Sequence, residues 1–425
     1  MPYGDVELAL RLPSEWVGEF VSPRELPGGQ PVDRMILAAL EYPISSLPLK
    51  RIAKPGQRVA VMVDDHTRKT PIRQMLPFVL DQLHVAGVED RDISIVVALG
   101  SHRGMTSQEA EAKIGSPILN RYQVINLPVA SAGDRVMIGN FGSQPAGIHR
   151  AVAEADLRIG LGMITPHMDA GFSGGSKIIL PGACSDETVD AFHVRSVDLP
   201  GNPLGDIHAP LRLELEQFVA EHVPLSFILN AVTYPDGKAY QCVAGHPVAA
   251  HRLGVEYARQ AYGVPVKRRY PVVVADCYPY DLDLWQSMKG LWCGELLTED
   301  RGTLILLTRA GERLGGYNEL PGYIGMNPVE LQRLMAIGEA THPKEAATGV
   351  MVGRMKHRIN IALVSDGFLP EDALRMGLAY FGSLEEAISS AVQRLTENER
   401  QGCVAVLSHA GTLLPLLPES EKRAA

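Results

Sequence analysis

A chain of 425 residues with 46% hydrophobic and 21% charged side chains has apolar surface enough for two cored domains rather than one. Its formal net charge of −9 argues against a broad electrostatic footprint for nucleic acid, and no apolar run approaches the roughly 20 residues that span a bilayer. The five cysteines, Cys184, Cys242, Cys277, Cys293 and Cys403, form no C-x-x-C pair, which speaks against a cysteine-based zinc site and for reduced thiols of a cytoplasmic protein. The first residues carry acids and lack a basic stretch followed by a long apolar one, so no signal peptide is expected.

Taken in order, residues 6–12 alternate apolar and polar and predict a strand, 23–31 a Pro/Gly-rich loop, and 36–40 a short helix. Residues 58–64 are a β-branched run of the kind buried in a parallel sheet. They end in Asp64-Asp65-His66-Thr67-Arg68-Lys69-Thr70-Pro71, and Pro71 suits the start of a helix expected over 75–86. The next buried strand, 94–99, ends in Gly100-Ser101-His102-Arg103-Gly104, and Thr106 is placed to cap a helix over 109–114. A third strand, 155–164, delivers His167. Strand, polar loop and helix in repetition is the doubly wound α/β pattern, in which functional groups gather beyond the carboxyl ends of the strands. Asp65, Arg68, His102 and His167 all fall at such ends.

A hairpin is expected over 225–232 and 238–242, turning at Pro235-Asp236-Gly237, and a helix over 251–262. The short basic segment 263–270 is the boundary candidate. The α/β pattern then restarts, with strands at 271–275, 302–307, 360–364 and 403–408, helices at 328–337 and 384–395, and a polar tail at 418–425. The expectation is therefore α/β: two α/β domains with mainly parallel sheets and the active site in the cleft between them. Residues 1–265 form an N-terminal cofactor-binding and catalytic domain. Residues 266–425 form a C-terminal domain that completes the site, its last residues packing back on the first domain or fraying.

The densest chemistry lies in residues 160–193. His167 is followed by Ser173-Gly174-Gly175-Ser176, which presents Lys177, and past Ser185-Asp186-Glu187 stands His193. Glycines let a backbone pass close to a ligand. The lysine can meet a phosphate, form a covalent bond or neutralise an acid, and the flanking histidines can ligate a metal or move protons. Common motifs fail here. Lys177 lacks the spacing and the following Ser/Thr of a Walker loop, Gly160-Leu161-Gly162 has Thr165 where a third glycine of the dinucleotide fingerprint belongs, and the histidines are not i, i+4. In the second half, Trp285, Gln286 and Lys289 suit a flat ring and an acid group, or else mark an ordinary helix with a surface lysine.

Asp65-His66-Thr67-Arg68, Gly100-Ser101-His102-Arg103, Pro166-His167, Gly174-Gly175-Ser176-Lys177, His193 and Gln286-Ser287-x-Lys289, met in this order along the whole chain, resemble the nickel-pincer-nucleotide lactate racemase family. The resemblance implies a pyridinium-3,5-bisthiocarboxylic acid mononucleotide that holds nickel through sulfur, carbon and sulfur. It implies that Lys177 carries this cofactor covalently, aided by Gly174, Gly175 and Ser176, and that His193 supplies the remaining nickel ligand. His102 and His167 match the acid/base pair, Arg68 and Lys289 the substrate site, and Asp65, Arg68 and Gln286 positions near the cofactor. It implies proton-coupled hydride transfer to the cofactor during racemisation or epimerisation of a 2-hydroxy acid. The enzymes that make the cofactor would be partners, and nucleic acid and membrane would not.

The residue types suit such chemistry. The C–H beside an ionised carboxylate is weakly acidic, so removing the hydroxyl proton while hydride leaves the carbon avoids a carbanion. Two imidazoles are then needed because the two enantiomers place their hydroxyls differently. A hydroxy acid oxidoreductase or dehydratase on the same scaffold, and a non-catalytic nucleotide- or nickel-binding protein, are the alternatives. A carrier would need neither His102 nor His167. Lys69 and Arg103 are further cations that could accept a second carboxylate, as in malate.

Overall fold

The computed structural model describes residues 1–24, 30–100, 102–129, 134–199, 201–234 and 236–421. The chain divides into two compact units, and the division is not a single cut. One unit comprises Leu26–Arg195 and Gly205–Ala261; the other comprises Met1–Glu25, Ser196–Leu204 and Tyr262–Ala425. Residues 1–25 and 196–204, expected in an N-terminal domain, thus belong with the C-terminal part of the chain. Both units are α/β, as expected from the sequence.

The first unit is built on a six-stranded sheet in the order Ala239–Gly245, Phe227–Thr233, Leu157–Met163, Val59–Asp64, Ile93–Ala98, Gln123–Ile125. Every pair is parallel except the hairpin of the first two. Val59–Asp64 is buried along its whole length, as a β-branched strand with helices on both faces must be. From this strand the chain first moves to Ile93–Ala98 on one side and later to Leu157–Met163 on the other. The strand order reverses there, and the crevice beyond the carboxyl ends at such a point is where doubly wound folds bind ligands. Asp65, His102 and His167 follow these three adjacent strands.

Helix Ser107–Lys113 opens with the expected cap: Thr106 Oγ1 accepts from Glu109 N at 3.2 Å, and Glu109 Oε2 accepts from Thr106 N at 2.7 Å. Its last residue, Lys113, is buried. It pairs with Asp64 Oδ1 at 2.8 Å and donates to the Arg68 carbonyl at 2.7 Å, which clamps the loop that bears Arg68. The hairpin and the helix expected near 251 are present, the helix starting a turn earlier as Pro247–Tyr262. Pro235 of the expected turn lies outside the described residues. So do Ser101 and residues 422–425 of the polar tail.

The second unit has a six-stranded, wholly parallel sheet ordered Ala379–Phe381, Asn360–Val364, Thr298–Leu307, Tyr270–Asp276, Val404–Leu407, Val17–Val21. The edge strand Val17–Val21 was not expected. Its Val17 and Phe20 are 44% and 61% exposed, so burial leaves no alternating signature in its sequence. The alternating run at 6–12 contributes only the two-residue pairing of Val6–Glu7 with Pro2–Tyr3, while Leu10 and Leu12 pack against the core of this unit. Among the described residues, no helix is long and apolar enough to cross a membrane.

Gly160, in strand Leu157–Met163, has no side chain because the turn bearing Lys177 lies directly on it: a Cβ there would stand 2.7 Å from Ile178 Cγ2. Two residues along, a Cβ on Gly162 would meet nothing nearer than 3.7 Å. Gly160→Ala should therefore destabilise the protein by about 1–3 kcal/mol through overpacking. Gly162→Ala should be neutral or stabilising by about 0.4–1 kcal/mol. Urea unfolding of the two variants side by side checks the contrast.

Candidate active site

Asp65 begins the loop after the central strand and is buried. Its Oδ1 accepts from Thr67 N at 2.9 Å and from the Thr67 hydroxyl at 2.6 Å, and its Oδ2 takes His102 Nδ1 at 2.6 Å. Burial works against the charge of this carboxyl, but the bonds from His102 and Thr67 and the charge of Arg68 prevail and hold it well below the usual carboxylate range. An ionised carboxylate cannot donate, so His102 Nδ1 carries the hydrogen, and in the neutral ring the lone pair lies at Nε2.

His167 is held in the opposite sense. Its Nδ1 accepts from Asp169 N at 3.1 Å and from Ala170 N at 3.4 Å, so the hydrogen of the neutral ring lies at Nε2. Burial, followed by the charges of Lys177 and Arg68, pushes its pKa well below the ordinary histidine value. The two imidazoles therefore rest in opposite tautomers, one offering a lone pair at Nε2 and the other a hydrogen.

Lys177 sits on the 3-10 turn Gly175–Ile178, its Nζ 4.5 Å from the centre of the Phe192 ring. Burial, then the charge of Arg212, lowers its pKa to about 7. Near neutrality much of this amine is unprotonated and nucleophilic. The backbone reaches the turn through Gly174, whose φ of +77° an L side chain rarely adopts. Ser176 is buried beside it.

His193 stands in helix Asp186–Val197, which the sequence did not announce. Its Nδ1 lies 3.5 Å from Asp169 Oδ2, which is also 3.9 Å from His167 Nδ1. A carboxylate beside one ring nitrogen orients the ring so that the other can take a metal. Among the described residues, no group of three His, Cys, Asp or Glu side chains could hold a metal ion. A metal bound at His193 would need its remaining donors from a bound molecule.

Arg68 belongs to this cluster, since its charge acts on Asp65, His167 and Lys177. Arg103 does not offer a cation to a second carboxylate: it makes a two-pronged pair with Glu109, at 2.7 Å to each oxygen. The stem of Lys69 packs against Gly237. Asp169, Arg212, Glu216, Asn230 and His251 were missed. All are buried, and only Asp169, two residues after His167, carried a positional hint.

Gln286 and Lys289 lie in the other unit, on helix Leu284–Leu297, which Asp283 caps through a 2.7 Å bond to Gln286 N. Lys289 Nζ donates to Gln286 Oε1 at 2.8 Å and lies 3.2 Å from the centre of the Tyr280 ring. Trp285 stacks on Tyr317 with ring centres 4.7 Å apart.

Two family descriptions match the chain, the lactate racemase N-terminal domain over residues 3–205 and the lactate racemase C-terminal domain over residues 268–409. The lactate racemase of Thermoanaerobacterium thermosaccharolyticum is 32% identical over 334 residues, covering 74% of this chain and 75% of that protein. The chain belongs to the lactate racemase family. A second family member, the lactate racemase of Lactiplantibacillus plantarum, is 29% identical over 366 residues, 84% of this chain and 85% of that one. The solved apoprotein of the Thermoanaerobacterium enzyme superimposes with a TM-score of 0.85 at 27% identity, covering 98% of this chain and 99% of the other. A Thermotoga maritima protein of 18% identity shares the fold, with a TM-score of 0.66 over 93% of this chain and all of its own. The chain is accordingly an isomerase of the racemase kind.

The buried amine has a consequence for stability. Folded, Lys177 keeps its proton only below about 7; unfolded, it keeps it to about 10.4. Between these values the unfolded chain binds the extra proton, so this group's contribution is complete above the upper value and is lost as pH falls toward the lower one. Urea unfolding at several pH values should show wild type gaining stability relative to Lys177→Met from pH 7.5 to 9.5. The comparison is needed because the buried cysteines, whose thiol pKa values are raised, act in the opposite direction over the same interval.

Proposed function

We propose that this racemase interconverts the enantiomers of lactate or a close 2-hydroxy monocarboxylate, with His102 and His167 handling the protons and Lys177 carrying a nickel-bearing pincer nucleotide. The observation that carries the reading is the pair of imidazoles in opposite tautomers in one cluster with a desolvated amine whose pKa is lowered to about 7. The names of the two relatives support lactate, and the commitment of Arg103 to Glu109 favours one carboxylate over two.

The residues fit the cofactor. A neutral amine at Lys177 can form a thioamide, and His193, oriented by Asp169, can add a single imidazole to a metal whose other donors the nucleotide brings. When bound, that group supplies the acceptor and donor of hydride that the side chains here lack. The protein supplies the rest. Arg68 holds the substrate carboxylate by a planar, charged contact. His102 takes the hydroxyl proton at Nε2, and Asp65 stabilises the imidazolium that results. The flat 2-oxo acid has no handedness, so exposing its other face exchanges the enantiomers. His167 serves the oxygen of the opposite hand; to act as a base there it must carry its hydrogen at Nδ1, giving up the bonds from Asp169 N and Ala170 N, and the proton moved from one imidazole to the other in a turnover is exchanged with solvent. We place the enzyme in the cytoplasm with the enzymes that make its cofactor; its five cysteines are free and buried.

The test is racemisation of D- and L-lactate by protein co-expressed with the cofactor-making enzymes. His102→Ala and His167→Ala should each lower kcat/KM by about 10²–10⁴-fold. Detailed balance requires the same loss in both directions, and wild-type rates in either variant would overturn the two-base reading. At matched cofactor occupancy, metal analysis of His193→Ala should find nickel lost. Asp169→Asn should bind nickel about 10–100-fold more weakly.

A further inference from the structure

Residues 170–174 carry the chain to Lys177, and their carbonyls are met largely by side chains rather than by a sheet. The centre of this arrangement is Arg212, on helix Pro210–His222, whose side chain is wholly buried. Its guanidinium donates from Nε to the Ala170 carbonyl at 3.3 Å, from Nη1 to the Gly174 carbonyl at 3.2 Å, and from Nη2 to the Phe172 carbonyl. The carbonyl between the last two, of Ser173, takes His251 Nε2 at 2.9 Å, and Asn230 Oδ1 receives Gly175 N at 2.8 Å. Glu216 lies 3.6 Å from Arg212 one helical turn on and also binds Arg252 at 2.5 Å, so it offsets the charge of Arg212 only in part.

We infer that Arg212 is the positioning residue that holds residues 170–174 in the shape that presents Lys177, and that its charge keeps the Lys177 amine reactive. A buried guanidinium is costly unless its donors are satisfied and its charge is offset. Here three donors go to alternate carbonyls of one short segment, a use that the planar fork of arginine allows and the single ammonium of lysine does not. With Glu216 shared between two arginines, Arg212 and Arg68 together oppose Asp169 at Lys177 and favour the neutral amine; the lowered pKa of Lys177, set first by burial and then by Arg212, agrees. Arg212 touches neither substrate nor cofactor in this account.

The inference rests on Lys177 being the reactive amine, and one experiment separates the two. The full-length protein without cofactor is labelled with acetic anhydride across pH 5.5–10, and the Lys177 peptide is quantified by mass spectrometry against a surface lysine, with hydrogen exchange of residues 170–177 followed in parallel. In wild type, Lys177 should label with a midpoint near 7. If it labels like the surface lysine, the reading of Lys177 fails. Arg212→Met should move the midpoint up by about one pH unit and speed exchange in the segment. Arg212→Lys, which keeps the charge without the fork, should restore the midpoint but not the protection. Glu216→Gln, which removes an anion and leaves the brace in place, should move the midpoint down, and it decides the matter if Arg212→Met does not fold. A wild-type midpoint near 7 left unchanged by Glu216→Gln and by every folded Arg212 variant overturns the inference and leaves the reading of Lys177 intact.

Discussion

The Lys177 amine has been largely withdrawn from water on a residue that as a whole is half-buried, and the surrounding structure follows from that constraint. A buried ammonium costs several kcal/mol unless it is paired. Here the cheaper solution is loss of the proton near neutrality, which turns a structural liability into a nucleophile. Holding it there requires a backbone that leaves the sheet, turns at Gly174 with φ of +77° and lies close on Gly160. That segment's carbonyls still need donors, and Arg212 and His251 provide them from helices packed behind it.

The same economy sets the two imidazoles apart. His102 leans on a side-chain carboxylate that stays ionised, whereas His167 leans on backbone N–H groups and sits among positive charges. These supports come from different strand ends of one parallel sheet, on either side of the strand where the order reverses. The fold contributes the convergence, and the local partners contribute the difference in proton placement. Backbone donors at one ring and a clamped loop at the other set that difference in the resting protein.

Much of this was legible in the sequence because it depended on local signals. The runs around 58–64 and 94–99 are largely apolar on both faces, as covered parallel strands are, and the polar loops after them and after 155–164 stand where such folds place chemistry. Thr106 announced its cap by its place just before the helix, though not the reciprocal bond from Glu109. What escaped depended on tertiary burial. Arg212 and Glu216 are four residues apart on a helix and look like a surface ion pair, yet both are buried. Arg103 looked like an available cation until Glu109 proved to bind it twice. Val17–Val21 is an exposed edge strand with no periodicity to find, and its pairing with Val404–Leu407 joins the two ends of the sequence, which local pattern does not reveal.

The most direct measurement is the mass of the intact protein after co-expression with the cofactor-making enzymes, with fragmentation of the peptide that contains Lys177 and nickel analysis of the same sample. The account predicts one nucleotide adduct per chain, located on Lys177, accompanied by nickel and by racemisation of lactate, and none of these in Lys177→Ala. Racemisation by a protein of unmodified mass, or an adduct on any other residue, would contradict it.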